Sequence, residues 1–104
     1  MKHYYPAVFE NAEEGGYTVL VPDLPGCITE GDTLEEAMYM AQDAIGCMLD
    51  DRKESEYPKP SNVNDIDKSK YADCFVSLVE FDKNIYEERC RAIAAAEARL
   101  AARA

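Results

Sequence analysis

From Lys2 to Glu10 the chain alternates, with His3, Tyr5, Ala7 and Phe9 on one face of an extended segment and Tyr4, Pro6 and Val8 on the other. Apolar side chains on both faces predict a strand covered on both sides, and Pro6 predicts an edge or a bulge because it has no N–H to donate. Polar and glycine residues over 11–16 turn the chain, and 17–21, with Val19 and Val21 on one face, return as the second strand of a β-hairpin. Pro22 ends that strand, Pro25-Gly26 turns the chain, and 27–29, centred on Ile28, form a short third strand. Gly31-Asp32 lead into a helix, and the pair Thr33 and Glu36 reads as a capping box. Leu34, Ala37, Met38, Ala41, Ile45, Met48 and Leu49 make one stripe over 34–50, with Glu35, Glu36, Gln42, Asp43 and Asp50 mostly outside it. A helix of this kind packs on a sheet.

Residues 53–70 are polar and carry Pro58, Pro60, Ser61, Asn62 and Asn64, so they read as a connecting loop. A last strand over 71–81 sets Phe75, Ser77, Val79 and Phe81 against Cys74, Val76, Leu78 and Glu80. The expected fold is α+β, a β-β-β-α-β domain over 1–82 with one helix on an antiparallel-rich sheet. The segment 83–104 changes character: Ile85, Ile93, Ala96 and Leu100 form a weak stripe, and 92–104 holds eight alanines without glycine or proline. It reads as a good helix with little to bury, suited to packing on the core or on another subunit of a homo-oligomer.

Charge narrows the range of partners. The 104 residues hold 21 acidic and 11 basic side chains, a net charge of −10. Residues 1–70 carry 15 acids against 6 bases, while 71–104 carry 6 against 5. Such a field repels phosphate backbones and hastens encounter with a basic protein, although solubility alone also accounts for it. No apolar run approaches the roughly 18 residues of a membrane span, and the N-terminus lacks the apolar core of a signal peptide, so a cytoplasmic protein is expected. Cys27, Cys47, Cys74 and Cys90 show no C-x-x-C spacing and read as buried, reduced thiols.

No catalytic motif is present: there is no G-x-S-x-G, P-loop or H-E-x-x-H. His3, the one histidine, sits beside tyrosines on a strand and reads as a packing or solvent-exposed residue rather than a general base. Asp23, Asp32, Asp43 and Asp73 could be nominated for a metal site, but with 21 acids some such set is unavoidable. Asp23 is explained as a turn residue, Asp32 by helix entry and Asp43 as a solvated helix position. The chain is therefore read as a non-enzyme without metal or cofactor.

The ordered pieces Asp23-Leu24-Pro25-Gly26-Cys27 and Gly31-Asp32-Thr33-Leu34-Glu35-Glu36-Ala37, preceded by Tyr5-Pro6-Ala7-Val8-Phe9 and Glu14-Gly15-Gly16-Tyr17, closely resemble the HicB-type antitoxin family. The resemblance covers roughly the first half of the chain. It implies a small domain similar to a partial RNase H fold that binds and inactivates a basic, HicA-like ribonuclease toxin cleaving messenger RNA. Many members also bind operator DNA through a C-terminal helix-turn-helix or ribbon-helix-helix segment and so regulate their operon. After Asp82 only 22 residues remain here, without a two-helix motif, so the reading is against operator binding. For the partner surface the candidates are Tyr17, Asp23, Leu24, Glu30, Glu35 and Glu36, while Pro22, Pro25, Gly26, Gly31 and Thr33 shape the fold. The readings in order are an antitoxin-type inhibitor, a toxin-free oligomeric scaffold or regulator, and a metal-dependent nuclease remnant.

Overall fold

In the computed structural model, which describes residues 1–103, Phe9 stands opposite both Val19 and Phe75, and this pairing places the sheet. Strands β1 (Lys2–Asn11), β2 (Tyr17–Leu20), β3 (Ile28–Gly31) and β4 (Cys74–Asp82) form one sheet in the order β3-β2-β1-β4, with every pair antiparallel. Helix α1 (Leu34–Leu49) covers one face, and a second helix, α2 (Lys83–Ala102), follows β4 directly. The expected α+β architecture is thus present, with boundaries shifted by up to three residues.

The core lies between α1 and the face that carries Tyr5, Ala7, Phe9, Val19, Val79 and Phe81. Ala37, Ala41, Ile45 and Leu49 recur along one side of α1 and are fully buried against it. Leu34, expected on that stripe, is exposed at the helix start. Pro6 is tolerated in an inner strand because it lies beyond the last β2 pair, Val8 with Leu20, so that β1 is bonded there on the β4 side alone.

The 22–26 connection is a double turn. The N–H of Leu24 donates to the Val21 carbonyl at 3.0 Å, and the N–H of Cys27 to the Leu24 carbonyl at 2.9 Å. Pro25 supplies the fixed φ of the second turn, and Gly26 at φ +87° supplies the left-handed position that follows it. At the helix start, Thr33 Oγ1 accepts from the Glu36 N–H at 3.1 Å. The Glu36 carboxylate reaches back to the N–H of Asp32 at 3.3 Å, one residue before the cap rather than the cap itself as in the standard box.

The long connection between α1 and β4 contains three short 3₁₀ turns and is anchored by side chains from the sheet. Tyr5 Oη donates to the Pro58 carbonyl at 2.8 Å, and burial, with Asp23 nearby, raises that phenol's pKa. Asn11 N–H meets the Asp73 carbonyl at 2.9 Å, and Glu10 accepts from the Ala72 N–H at 3.0 Å. His3 packs edge-on against Tyr57 and lies 3.3 Å from Glu54, consistent with a packing role.

Helix α2 begins on an Asp82 cap whose carboxylate accepts from the N–H groups of Asn84 and Ile85, and it contains no buried residue. Its 20 residues span about 30 Å, which extends the molecule to a radius of gyration of 15.2 Å, against about 13 Å for a compact chain of this length. Contact with α1 runs through Tyr86, whose ring occupies the space that a side chain at Gly46 would fill, and through Arg89, which lies 4.3 Å over the Tyr39 ring. The expectation of four buried thiols holds for Cys27 alone; Cys47 and Cys90 are exposed on helix faces outside the core, and Cys74, the first residue of β4, is half-buried.

Candidate functional site: an acidic cleft at the hairpin end

At the end of the sheet where the β1–β2 hairpin meets β3 and α1, a cleft of about 410 Å³ is lined by Tyr17, Glu14, Glu30, Asp32 and Glu36, with Ala12, Gly15 and Gly31 as its floor. The pairing Tyr17 with Gly31 and Thr18 with Glu30 brings these segments together. Close approach depends on glycine: at Gly16, with φ +80°, a Cβ would stand 2.6 Å from the Gly31 carbonyl, and at Gly31 one would stand 2.4 Å from the Ala37 nitrogen. The wall is aromatic as well as acidic. Tyr17 meets Phe9 and Phe75 edge-on at 6.5 and 6.0 Å, and those two rings stack at 5.0 Å.

No lysine or arginine lines the cleft. Among the described residues the lysines and arginines form one ion pair, Lys2 with Glu80, and His3 is hydrogen-bonded to Glu54, so the acidic surplus is not consumed within the chain. Four carboxylates at one end of a molecule of net charge −10 project a negative field, which draws a cationic surface and repels a phosphate backbone.

Of the six residues expected at a partner surface, Tyr17, Glu30 and Glu36 come together here. Glu35 lies beside them on a shallower surface with Thr33, Glu36 and Tyr39. Asp23 and Leu24 sit in the double turn, beyond the other end of β2. Asp23 accepts from the N–H of Ser61 at 2.8 Å and from its hydroxyl at 2.5 Å, tethering the long connection. Leu24 is not a surface residue: it is 1% exposed, because the double turn folds it under the sheet into the core. Gly26 has a φ of +87°, Gly31 passes close to the backbone of Ala37, Thr33 caps α1, and Pro22 and Pro25 lie in the connection that follows β2. Glu14 and Asp32 were not anticipated as site residues, since each looks like ordinary turn chemistry until strand register places them side by side. Among the described residues no three His, Cys, Asp or Glu side chains are placed to hold a metal ion.

Residues 5–102 match the family described as the HicB-like antitoxin of bacterial toxin–antitoxin systems. The chain belongs to the HicB-like antitoxin family. Two relatives show how its segments match. An uncharacterised 14.9 kDa protein of Haemophilus phage HP1 is 41% identical over 75% of this chain and 60% of its own length. Antitoxin HicB 1 of Photorhabdus laumondii is 56% identical over 39% of this chain and 26% of its own. This HicB-like chain thus matches less than two thirds of either protein. Among solved structures, a chain of a toxin–antitoxin complex from Streptococcus pneumoniae superposes with a TM-score of 0.69 at 26% identity, over 83% of this chain and 73% of that one. The match to residue 102 brings α2 within the HicB-like segment, beyond the half of the chain that carries the motif resemblance. No helix among the described residues is long and apolar enough to cross a membrane.

Proposed function

We propose that this protein is an antitoxin that binds and inhibits a basic, HicA-like ribonuclease toxin, and that the acidic cleft of Tyr17, Glu14, Glu30, Asp32 and Glu36 meets the toxin's cationic surface. The observation that carries the reading is the family match over residues 5–102, and the uncompensated carboxylates of the cleft supply a reason for affinity toward a basic protein. Carboxylates accept charge-assisted hydrogen bonds from arginine and lysine, and Tyr17, which lines the cleft, adds an aromatic ring for a cation–π contact. Occlusion of the nuclease by such contacts requires no chemistry from the inhibitor, and the chain is read as a non-enzyme.

Helix α2 is the proposed subunit contact. Ile85, Ile93 and Leu100 are 50%, 46% and 64% exposed on it, an apolar surface that a homo-oligomer would cover. That exposure also suits the second reading, an oligomeric scaffold without a toxin. Operator DNA lies outside the proposal, because the net charge of −10 opposes phosphate contact.

The test is co-purification with the product of the adjacent small reading frame, followed by RNA cleavage assays with and without this chain. A stoichiometric complex that stops cleavage is expected. Glu14→Lys with Glu30→Lys, neither residue being a helix cap or a core group, should slow association at least about tenfold at low salt and much less at high salt. A complex with unchanged association rate would remove the cleft from the interface. An active, folded neighbour that does not bind would remove the antitoxin reading for that pair.

A further inference from the structure

Two thiols outside the acidic cleft meet where α2 docks on α1. Cys47 follows Gly46 on α1, and Cys90 lies one helical turn beyond Tyr86 on α2, so Tyr86 and Cys90 share a face. A Cβ at Gly46 would stand 2.2 Å from the Tyr86 ring, which makes this the place where the helices approach closely. Cys47 Sγ lies 3.5 Å from Tyr86 Oη. The Cys90 thiol acts on the same hydroxyl, and hydrogen bonding from Cys47, burial and hydrogen bonding from Cys90, in that order, push the phenol's pKa far up. Both cysteines are exposed, in contrast with the buried Cys27. Two accessible sulfurs, one from each helix, therefore belong to the same helix–helix contact.

We propose that Cys47 and Cys90 are a peroxide-responsive thiol pair whose oxidation joins α2 covalently to α1. One thiolate attacks a peroxide oxygen and breaks the O–O bond, giving a sulfenic acid and, after proton transfer, one water. The second thiolate attacks the sulfenic sulfur, forms the S–S bond and expels hydroxide, which takes a proton to become the second water. Two thiols lose two electrons and two protons, and hydrogen peroxide is reduced to two waters; a small-molecule dithiol reverses the change. Movement of Tyr86 away from Cys47 accompanies bond formation, since the S–S distance must fall to about 2 Å. The consequence follows from the packing of α2. With no buried residue of its own, the helix is held by the Tyr86 and Arg89 contacts, and the disulfide adds a covalent but reducible attachment to them.

The test uses the whole chain treated with hydrogen peroxide in small excess, then alkylated and measured by non-reducing mass spectrometry and hydrogen exchange. Expected are a monomer lighter by two hydrogens, a proteolytic peptide linking Cys47 to Cys90, recovery with dithiothreitol, and amide exchange in the first half of α2 slowed about tenfold or more. Cys47→Ser and Cys90→Ser should each abolish the cross-link while their circular dichroism matches the parent, because both side chains are exposed. Absence of the link in excess peroxide, a link through Cys27 or Cys74, bonds solely between two chains, or a link persisting in either serine variant would overturn the proposal.

Discussion

Adding one methyl group at Gly31 and at Gly46 should have unequal consequences, although both positions lack room for it. A Cβ at Gly31 would lie 2.4 Å from the backbone nitrogen of Ala37 and 2.6 Å from its Cα, so β3 and the first turn of α1 would have to separate by about 1 Å. Neither backbone can rotate aside, and overpacking of this kind costs about 1–3 kcal/mol. Against that, alanine in a strand recovers about 0.5–1 kcal/mol of chain entropy. With backbone on both sides the upper part of the cost range applies, and Gly31→Ala should lose about 2 kcal/mol, a fall in Tm of roughly 8–16 °C. At Gly46 the obstacle is the Tyr86 ring, 2.2 Å away on a helix with no buried residue. Alanine gains about 1 kcal/mol of helix propensity there, and the strain is relieved when Tyr86 swings out and α2 lifts. Gly46→Ala should therefore stay within about 1 kcal/mol of the parent in urea while amide protection in the first turns of α2 falls. Parent-like stability of Gly31→Ala would refute the rigid spacing of β3 and α1. A loss in Gly46→Ala as large as that in Gly31→Ala would refute the peripheral status of α2.

Leu24→Ala should lose about 2–5 kcal/mol in urea denaturation, because it empties a core position rather than a surface contact. Asp23→Ala should cost about 1–3 kcal/mol by leaving the Ser61 N–H and hydroxyl without their carboxylate acceptor, with hydrogen exchange rising around Ser61. Burial pushes the Cys27 thiol from its ordinary value of 9.0 up to about 11, so above pH 9 the unfolded chain releases that proton first. The contribution of the buried thiol to stability is whole below pH 9 and is lost as pH rises toward 11, which a pH series of thermal melts on the parent and Cys27→Ala should show as converging curves. A maleimide probe at neutral pH should label Cys47 and Cys90 rapidly and Cys27 only after unfolding.

Much of the fold was legible because its signals are local. The alternation through Tyr5, Ala7 and Phe9, the Pro25-Gly26 turn and the Thr33 cap each depend on residues within a few positions of one another, and each lies where the pattern placed it. Misplacements arose where a residue's environment is set from afar. Leu24 looked like the tip of a turn, yet the double turn folds it under the sheet. The Cys47 and Cys90 thiols looked like small apolar groups for the core, yet both are exposed on helix faces outside it.

Sequence by itself determined the alternation that makes a sheet, the stripe that makes α1 its cover, the acidic surplus and the motifs that carry the family resemblance, since periodicity, composition and charge are properties of the chain at short range. Tertiary structure alone decided that Glu14, Glu30, Asp32 and Glu36 share one cleft, and that Cys47 of α1 lies against Tyr86 of α2. Both arrangements join residues far apart in sequence through strand register and helix packing. A one-residue slip in the pairing of β2 with β3 would turn Glu30 to the opposite face while leaving every local pattern unchanged.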